Sequence, residues 1–471
     1  MVECITREKA SQIISDAEKE LIECFEMLLD FRHGRNNLAK ALTEFQPKLA
    51  ECLYSLMKFY QELKQEKDLL IAQKANIDFD IFTQAMAFNA TLSQVVSNTI
   101  SIGKDMGDAY AWFFYRDNRS ELDKHFSHEP TGLFVAGIGG RGELEFIKNN
   151  SNIDGLFVLY HGITNMLRIG DFSLYDIERG IVGIGELKTT QNGDHLRVTA
   201  NITSRVNINP PDGIKQQPSE DFETSINILQ KSFPKIRKQL QVQEDLLKQA
   251  QSDHNVSLMS SYEYELIDRL SQDTPVVINQ DCSLMLVAAW SKYDALFDVL
   301  ISEEVADGLP DNIADLSNQL LEPPSQYNEF ILGKLNTQTS ILSIPILWWD
   351  IEDDACRDIY FRKICIGTIF NPAKLLQFYI DDGFQIEKFG RLEDIAISKT
   401  VDNKRVGIGH FSSICYLITN SLMKTPHVYA FSKKATNDIL SGAYPPNSKI
   451  DMHIHLNNYG PPPGIEVEDP T

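Results

Sequence analysis

Three charged side chains stand in one short, otherwise apolar stretch. Residues 169–175 read Ile-Gly-Asp-Phe-Ser-Leu-Tyr, and residues 181–188 read Ile-Val-Gly-Ile-Gly-Glu-Leu-Lys. Two apolar segments with a short polar connection ending in Gly180 predict a β-hairpin. With Ile177–Gly180 as the turn, Asp176 pairs with Ile181, and counting outward sets Asp171 opposite Glu186. Directly opposed residues bring their Cβ atoms to ~4.5–5.5 Å. Lys188, two residues after Glu186, shares its face. Two carboxylates this close repel, and one pKa rises, unless a cation stands between them. A hard divalent ion, Mg²⁺ or Mn²⁺, suits such a pair, because one or two carboxylates suffice when water and substrate phosphate complete the shell. The lysine would orient water or stabilise charge developing on phosphorus. The expected chemistry is metal-assisted phosphodiester hydrolysis, with Asp171 and Glu186 as metal ligands and Lys188 as the catalytic cation.

The surrounding elements decide whether these residues meet. A short apolar run, Leu133–Ala136, is followed by glycines and a helix-like piece, Glu143–Asn149. Three strand-like segments rich in Val, Ile, Phe and Tyr come next: Gly155–Gly162, Arg168–Tyr175 and Gly180–Thr189. A long polar helix is expected over Pro218–Gln251, beyond the Pro210-Pro211-Asp212-Gly213 break. Asp171 and Glu186-Leu187-Lys188, on adjacent strands after a helix, resemble the PD-(D/E)XK nuclease superfamily, whose common core is helix, three strands, helix, strand. The resemblance covers residues 137–200 and implies metal-dependent cleavage of nucleic acid, in the first place DNA. It also implies a restriction-endonuclease-like mixed sheet flanked by helices, in an α+β or α/β chain. Many members add a glutamate from the first core helix; Glu143 takes that place here, with Glu145 as the alternative. Gly170 stands where the family's named proline would be. By analogy, such a domain beside a coiled-coil module resembles bacterial restriction-type and phage-defence effectors. The alternative is a nuclease-like fold without catalysis that serves as an interaction scaffold through its helices.

Other motifs compete for attention. Gly137-Ile138-Gly139-Gly140-Arg141-Gly142 matches a dinucleotide-binding fingerprint. That reading needs a parallel sheet and an acid ending the next strand, but the segment ends Leu159-Tyr160-His161-Gly162. The glycines are better read as the entry to the helix carrying Glu143. Ser173, His161 and His195 surround the motif without a nucleophile elbow, so His161 is expected to be a satisfied structural histidine. His453 and His455 lack further ligands nearby for zinc. Lys231, Lys235, Arg237 and Lys238 cluster on the expected long helix and would contact a nucleic-acid backbone.

The first ~75 residues read as helix. Ala10, Ile14, Ala17, Leu21, Cys24, Leu28 and Phe31 keep helical spacing. Leu42, Leu49, Leu56, Leu63 and Leu70 recur every seven residues, with Phe45, Cys52 and Phe59 three places after the first three. This is the seam of a helical hairpin or coiled coil, and a partner protein or a second copy is expected there. Pro47 should kink the second helix or start it. A third helix is expected over Phe79–Ile102. Three regions follow: a helical module over 1–129, a nuclease-like domain over 130–400, and an extension over 401–471 with a loose acidic tail.

The chain has 471 residues and a formal charge of −22. A uniformly acidic surface repels phosphate, but the acidity is uneven: −6 over 1–130, −1 over 131–250 and −15 beyond. Seven cysteines, none in CxxC spacing, fit free thiols in a reducing compartment. Without a signal peptide or a long apolar run, a cytoplasmic protein with no membrane contact is expected.

Overall fold

The computed structural model describes residues 5–33, 38–115, 119–126, 137–176, 179–192, 195–204, 222–228, 276–278, 283–302, 331–335, 345–348, 351–388, 395–402, 404–408 and 424–441, with scattered single positions between them. It is an α+β protein. Helices α1 (Arg7–Arg32), α2 (Leu38–Ala72), α3 (Phe79–Tyr115) and α4 (Arg119–Phe126) come first. Helix α5 (Ile138–Asn149) leads into strands β1 (Asn152–Ile153), β2 (Leu156–Tyr160), β3 (Phe172–Asp176), β4 (Gly180–Asn192), β5 (His195–Ser204) and β6 (Phe222–Ile228).

The periodicities of the first hundred residues describe real faces. Thr6 caps α1 with its hydroxyl on the Lys9 N–H, and Ala10, Ile14, Ala17, Leu21, Cys24, Leu28 and Phe31 are all buried. The heptad leucines turn inward: Leu49, Leu56, Leu63 and Leu70 are buried and Leu42 is half-buried. Their seam packs against α1 and α3 of the same chain, as in a helical bundle. Helix α2 does not start at Pro47 but runs on through it without a break. The missing backbone hydrogen bond is tolerated because Phe45 and Leu49, on either side of it, are fully buried and hold the helix in place. Helix α3 continues past the expected Ile102 to Tyr115.

The six strands form one sheet in chain order. Neighbours β1 to β5 are antiparallel, and β6 runs parallel to β5. This is not the parallel sheet that a dinucleotide fold requires. The β3–β4 hairpin pairs Asp176 with Gly180 and Tyr175 with Ile181, then slips by one residue to pair Leu174 with Gly183 and Phe172 with Gly185. Val182 is the residue left over, in a β-bulge. The turn is therefore one residue shorter than the sequence suggests, and the bulge restores the expected alignment at the far end.

The strand expected over Arg168–Tyr175 begins only at Phe172, and three expected elements change type. Phe222–Ile228, read as the start of a long helix, is strand β6, paired along its whole length with β5, and its sequence is rich in the β-branched residue types that favour strands. Ile331–Leu335, read as the end of a helix, is strand β9. It joins a second sheet with β7 (Val276–Ile278), β8 (Leu284–Trp290) and β10 (Ile364–Phe370), in the order β7-β8-β10-β9. Ile346–Trp348, read as part of a strand, is one 3₁₀ turn. Pro345 lacks the N–H that a central strand needs, and the Trp348 indole instead donates to the Ala109 carbonyl of α3 at 2.9 Å. Helices α6 (Leu296–Ile301), α7 (Asp353–Tyr360), α8 (Pro372–Asp381) and α9 (Thr425–Leu440), with a small sheet of β11 (Gln385–Lys388), β12 (Ala396–Val401) and β13 (Lys404–Ile408), complete the described chain.

One continuous apolar core runs from α1 through the six-stranded sheet to α8. The helical part is joined to the sheet by polar clamps as well. Gln46 of α2 donates to the Val158 carbonyl and accepts from the Tyr160 N–H, at 2.9 and 2.8 Å. Asp108 of α3, fully buried, accepts from the N–H groups of Asn165 and Met166 at 2.7 and 2.9 Å. Among the described residues no helix is long and apolar enough to cross a membrane.

Candidate active site

Asp171 lies just before β3, in a bend made by Gly170 at φ +71°. A Cβ at Gly170 would come within 2.6 Å of the Ile184 side chain and 2.7 Å of the Gly185 carbonyl oxygen. A proline cannot stand here, because its ring fixes φ near −65°. The backbone of Asp171 is tied on both sides. Its N–H donates to the Gly185 carbonyl at 2.8 Å, and its carbonyl accepts from the His161 N–H at 2.9 Å. Its carboxylate Oδ2 accepts from the Leu187 N–H at 2.6 Å. Asp171 is thus bonded to the central residue of Glu186-Leu187-Lys188.

The expected ladder pair between Asp171 and Glu186 is not formed as such. Pairing ends at Phe172 with Gly185, because the left-handed Gly170 turns the chain out of the strand one residue earlier. Continuing the register by one residue still sets Asp171 level with Glu186. On its other side Glu186 pairs with Asn201, and Lys188 with Thr199. Glu186 is half-buried and Lys188 is exposed.

Glu143 reaches the same place from α5. The helix lies close on the sheet because Gly142 has no side chain: a Cβ there would collide with Thr189 of β4. Phe146 packs on Phe172 with ring centroids 5.2 Å apart, and Lys148 pairs with Glu51 of α2. These contacts aim Glu143 at the end of β2, where its carboxylate accepts from the Tyr160 hydroxyl at 2.5 Å. Burial pushes the Glu143 carboxyl up to about 7, against the pull of the Tyr160 hydrogen bond and with a further push from the Asp171 charge. Of the two glutamates on α5, Glu143 is therefore the one that feels Asp171.

Among the described residues no three His, Cys, Asp or Glu side chains are grouped to hold a metal ion, so Asp171, Glu186 and Glu143 do not make a three-ligand site. Mg²⁺ does not require one, since it keeps several waters and takes one or two carboxylates.

Four residues that sequence reasoning did not connect hold the bend in place. His125 of α4 accepts from the N–H groups of Arg168 and Ile169 through Nδ1, at 2.9 and 3.1 Å. Its Nε2 must therefore carry the proton and donate to Tyr115 Oη, 3.1 Å away. Tyr115 then donates to Ser173 Oγ at 2.6 Å, and Ser173 donates to His161 Nε2 at 2.7 Å. His161 closes the chain by donating from Nδ1 to the Gly170 carbonyl at 3.2 Å. Every donor has one acceptor, so the chain runs in a single direction. Ser173 is spent on this task, and His161 is the satisfied structural histidine expected. No local signal marked the chain, because its members come from α3, α4, the end of β2 and β3.

Burial holds both histidines neutral, with His161 pushed down to about 3 and His125 also well below its usual range. The sign follows directly. As pH falls below about 6.5 the unfolded chain takes up protons that these folded histidines refuse, so they withdraw stability from there downward. In His161→Gln the unfolding free energy from urea titration should depend less on pH than in wild type, by ~1 kcal/mol per pH unit below about 6.5. Equal slopes would show that His161 does not titrate on unfolding.

The remaining expectations fall elsewhere. Lys231, Lys235, Arg237 and Lys238, together with His453, His455 and the acidic tail, lie outside the described residues. Gly137 caps the N-terminus of α5, so the glycine run does open the helix that carries Glu143. Cys24, Cys52, Cys356 and Cys415 are free and buried, and Cys365 is free and half-buried. Comparison with family models, with curated proteins and with solved structures returns no match to this chain.

Proposed function

We propose that the protein is a metal-dependent nuclease acting on DNA. The observation that carries this reading is the carboxylate of Asp171 seated on the Leu187 amide, between Glu186 and Lys188, with Glu143 close enough to feel its charge. Asp171 and Glu186 would hold Mg²⁺ or Mn²⁺, with Glu143 assisting. The ion, when bound, would offset the charge on the phosphate under attack. Lys188, exposed at the edge of this group, would orient the attacking water. Tyr160 would keep the Glu143 carboxyl aimed at Asp171. The near-neutral charge of residues 131–250 supports weak, salt-sensitive binding to a polyanion, with Lys231, Lys235, Arg237 and Lys238 as expected backbone contacts.

Purified protein should cut plasmid or linear DNA with Mg²⁺ or Mn²⁺ and leave it whole with EDTA. Intact double-stranded DNA, single-stranded DNA and RNA under all these conditions would overturn the proposal. The alternative, a catalytically silent scaffold, is favoured by the fact that Asp171 and Glu143 already accept hydrogen bonds from protein donors.

Glu143 supplies a second test. Its folded pKa of about 7 lies above the ordinary 4.5. The folded chain therefore keeps a proton that the unfolded chain releases, and loses stability as pH rises from about 4.5 to about 7. Glu143→Gln keeps an acceptor for Tyr160 without the charge. In metal-free buffer above neutrality it should melt no lower than wild type, while cleavage falls. A melting point several degrees lower would mean that Glu143 is structural.

A further inference from the structure

The four most exposed large apolar side chains of the described chain lie on the two helix ends that meet at one turn. Phe79 is 71% exposed, Ile81 62%, Leu69 51% and Ile71 50%. They flank the turn at Lys74–Asn76 that joins α2 to α3. Isolated exposed leucines need no explanation, but a cluster at one tip does.

The cluster exists because α1 is too short to cover the hairpin. Its N-terminal end meets α2 at Glu62 and Glu66, through the Lys9–Glu62 pair at 2.9 Å and the Ile5 N–H donating to Glu66 at 2.7 Å. Beyond Glu66 the three-helix packing becomes two helices, which cannot bury their own apolar stripes. The exposed face continues down α3 without charge. From Ile81 to Gly103 there are 23 residues and no Asp, Glu, Lys or Arg, in a chain that is 23% charged. The positions of this stretch that face water include Gln84, Ala87, Ala90, Gln94 and Ser97. A solvated helix face would ordinarily carry charges.

We propose that this tip and the adjoining uncharged face of α3 are a dimerisation surface whose occupant is a second copy of the same chain. The two hairpins would lie antiparallel as a four-helix bundle. Charge selects this occupant. Two copies of a −22 chain repel over most of their surface, and this face is where they meet with least repulsion. Residues 64–82 carry three lysines and four acids. A two-fold axis can set Lys67 and Lys74 of one tip near Asp78 and Asp80 of the other. An anionic lipid surface would gain nothing from the same mixture. The leucine seam, which the sequence offered for self-association, is already filled by the chain's own helices.

Sedimentation velocity on the full chain tests the proposal. Wild type should sediment as a dimer of the 53.4 kDa chain at micromolar concentration. Phe79→Glu combined with Ile81→Glu changes only exposed side chains, so the circular dichroism should be unchanged. The dissociation constant should rise by about 100-fold or more. Ile380→Glu, a charge placed at an exposed isoleucine elsewhere, should leave the dimer intact. The proposal is overturned by a wild type that stays monomeric at about 100 µM, by a double variant that still dimerises, by an Ile380→Glu variant that dissociates equally, or by wild type floating with anionic vesicles through this tip.

Discussion

Glu186→Gln and Lys188→Ala should each lower metal-dependent DNA cleavage by at least ~100-fold, the usual loss when one charge-bearing group leaves a reacting phosphate or acyl centre. Neither change should cost much stability. Lys188 is exposed, and Glu186 is half-buried opposite Asn201, which a glutamine can also meet. The two losses should not add when combined, since groups that act on one transition state fail together. Cleavage of plasmid and thermal melting, measured on the same preparations, check both halves. Full activity in either variant would sink the assignment. A matching loss of activity and melting temperature would reduce it to a folding effect. Asp171→Asn belongs to the same set but tests something narrower, because the amide oxygen can still take the Leu187 N–H.

Gly170→Pro should be the most damaging single change near the site, even though it installs the residue that the resemblance names. Proline cannot reach φ +71°. Its Cβ would also press on the Ile184 side chain and on the Gly185 carbonyl, which is backbone and cannot swing away. A loss of ~3 kcal/mol or more is expected, with Asp171 displaced from both neighbouring strands. Gly170→Ala should cost less, ~1–2 kcal/mol for the left-handed backbone, plus the same close approach. Urea midpoints rank the three proteins. A Gly170→Pro variant as stable as wild type would mean that the bend is not needed for folding.

The part of this molecule that could be read from the chain is the part governed by local period. The seven helical positions from Ala10 to Phe31 and the leucines from Leu49 to Leu70 are buried as their spacing requires. The hairpin around Asp176 and Gly180 follows from alternation and a polar turn. Helix α8 over Pro372–Asp381 is marked at its start by Asn371, which caps it, and by Pro372. Polar helix-like wording misled at Phe222–Ile228, where pairing with β5 outweighs it. A run of apolar residues misled at Ile346–Trp348, where Pro345 and an indole hydrogen bond outweigh it.

The candidate site divides the same way. Asp171, Glu186 and Lys188 were legible because charges interrupt apolar strands at countable positions. Tyr160 was not, although it ends β2 in plain view, because its use depends on how closely Gly142 lets α5 approach. The chain from His125 through Tyr115 and Ser173 to His161 was not legible either. His125 precedes His161 by 36 positions, and only the docking of α4 beside β3 joins them. Such contacts depend on tertiary packing and leave no spacing to count.

The bulge at Val182 separates two lengths that would otherwise be locked together. The turn beyond Asp176 and the alignment at Phe172 belong to one hairpin, yet they obey different counts. Drawing Gly180 into the turn would straighten the ladder, setting Asp176 against Ile181, and leave Phe172 opposite Gly185. The hairpin end can therefore lose a residue over evolutionary time, or in the hands of an engineer, by giving up the bulge, without shifting Glu186 and Lys188 past Asp171. The bulge works as slack between a variable loop and an alignment that has to stay put.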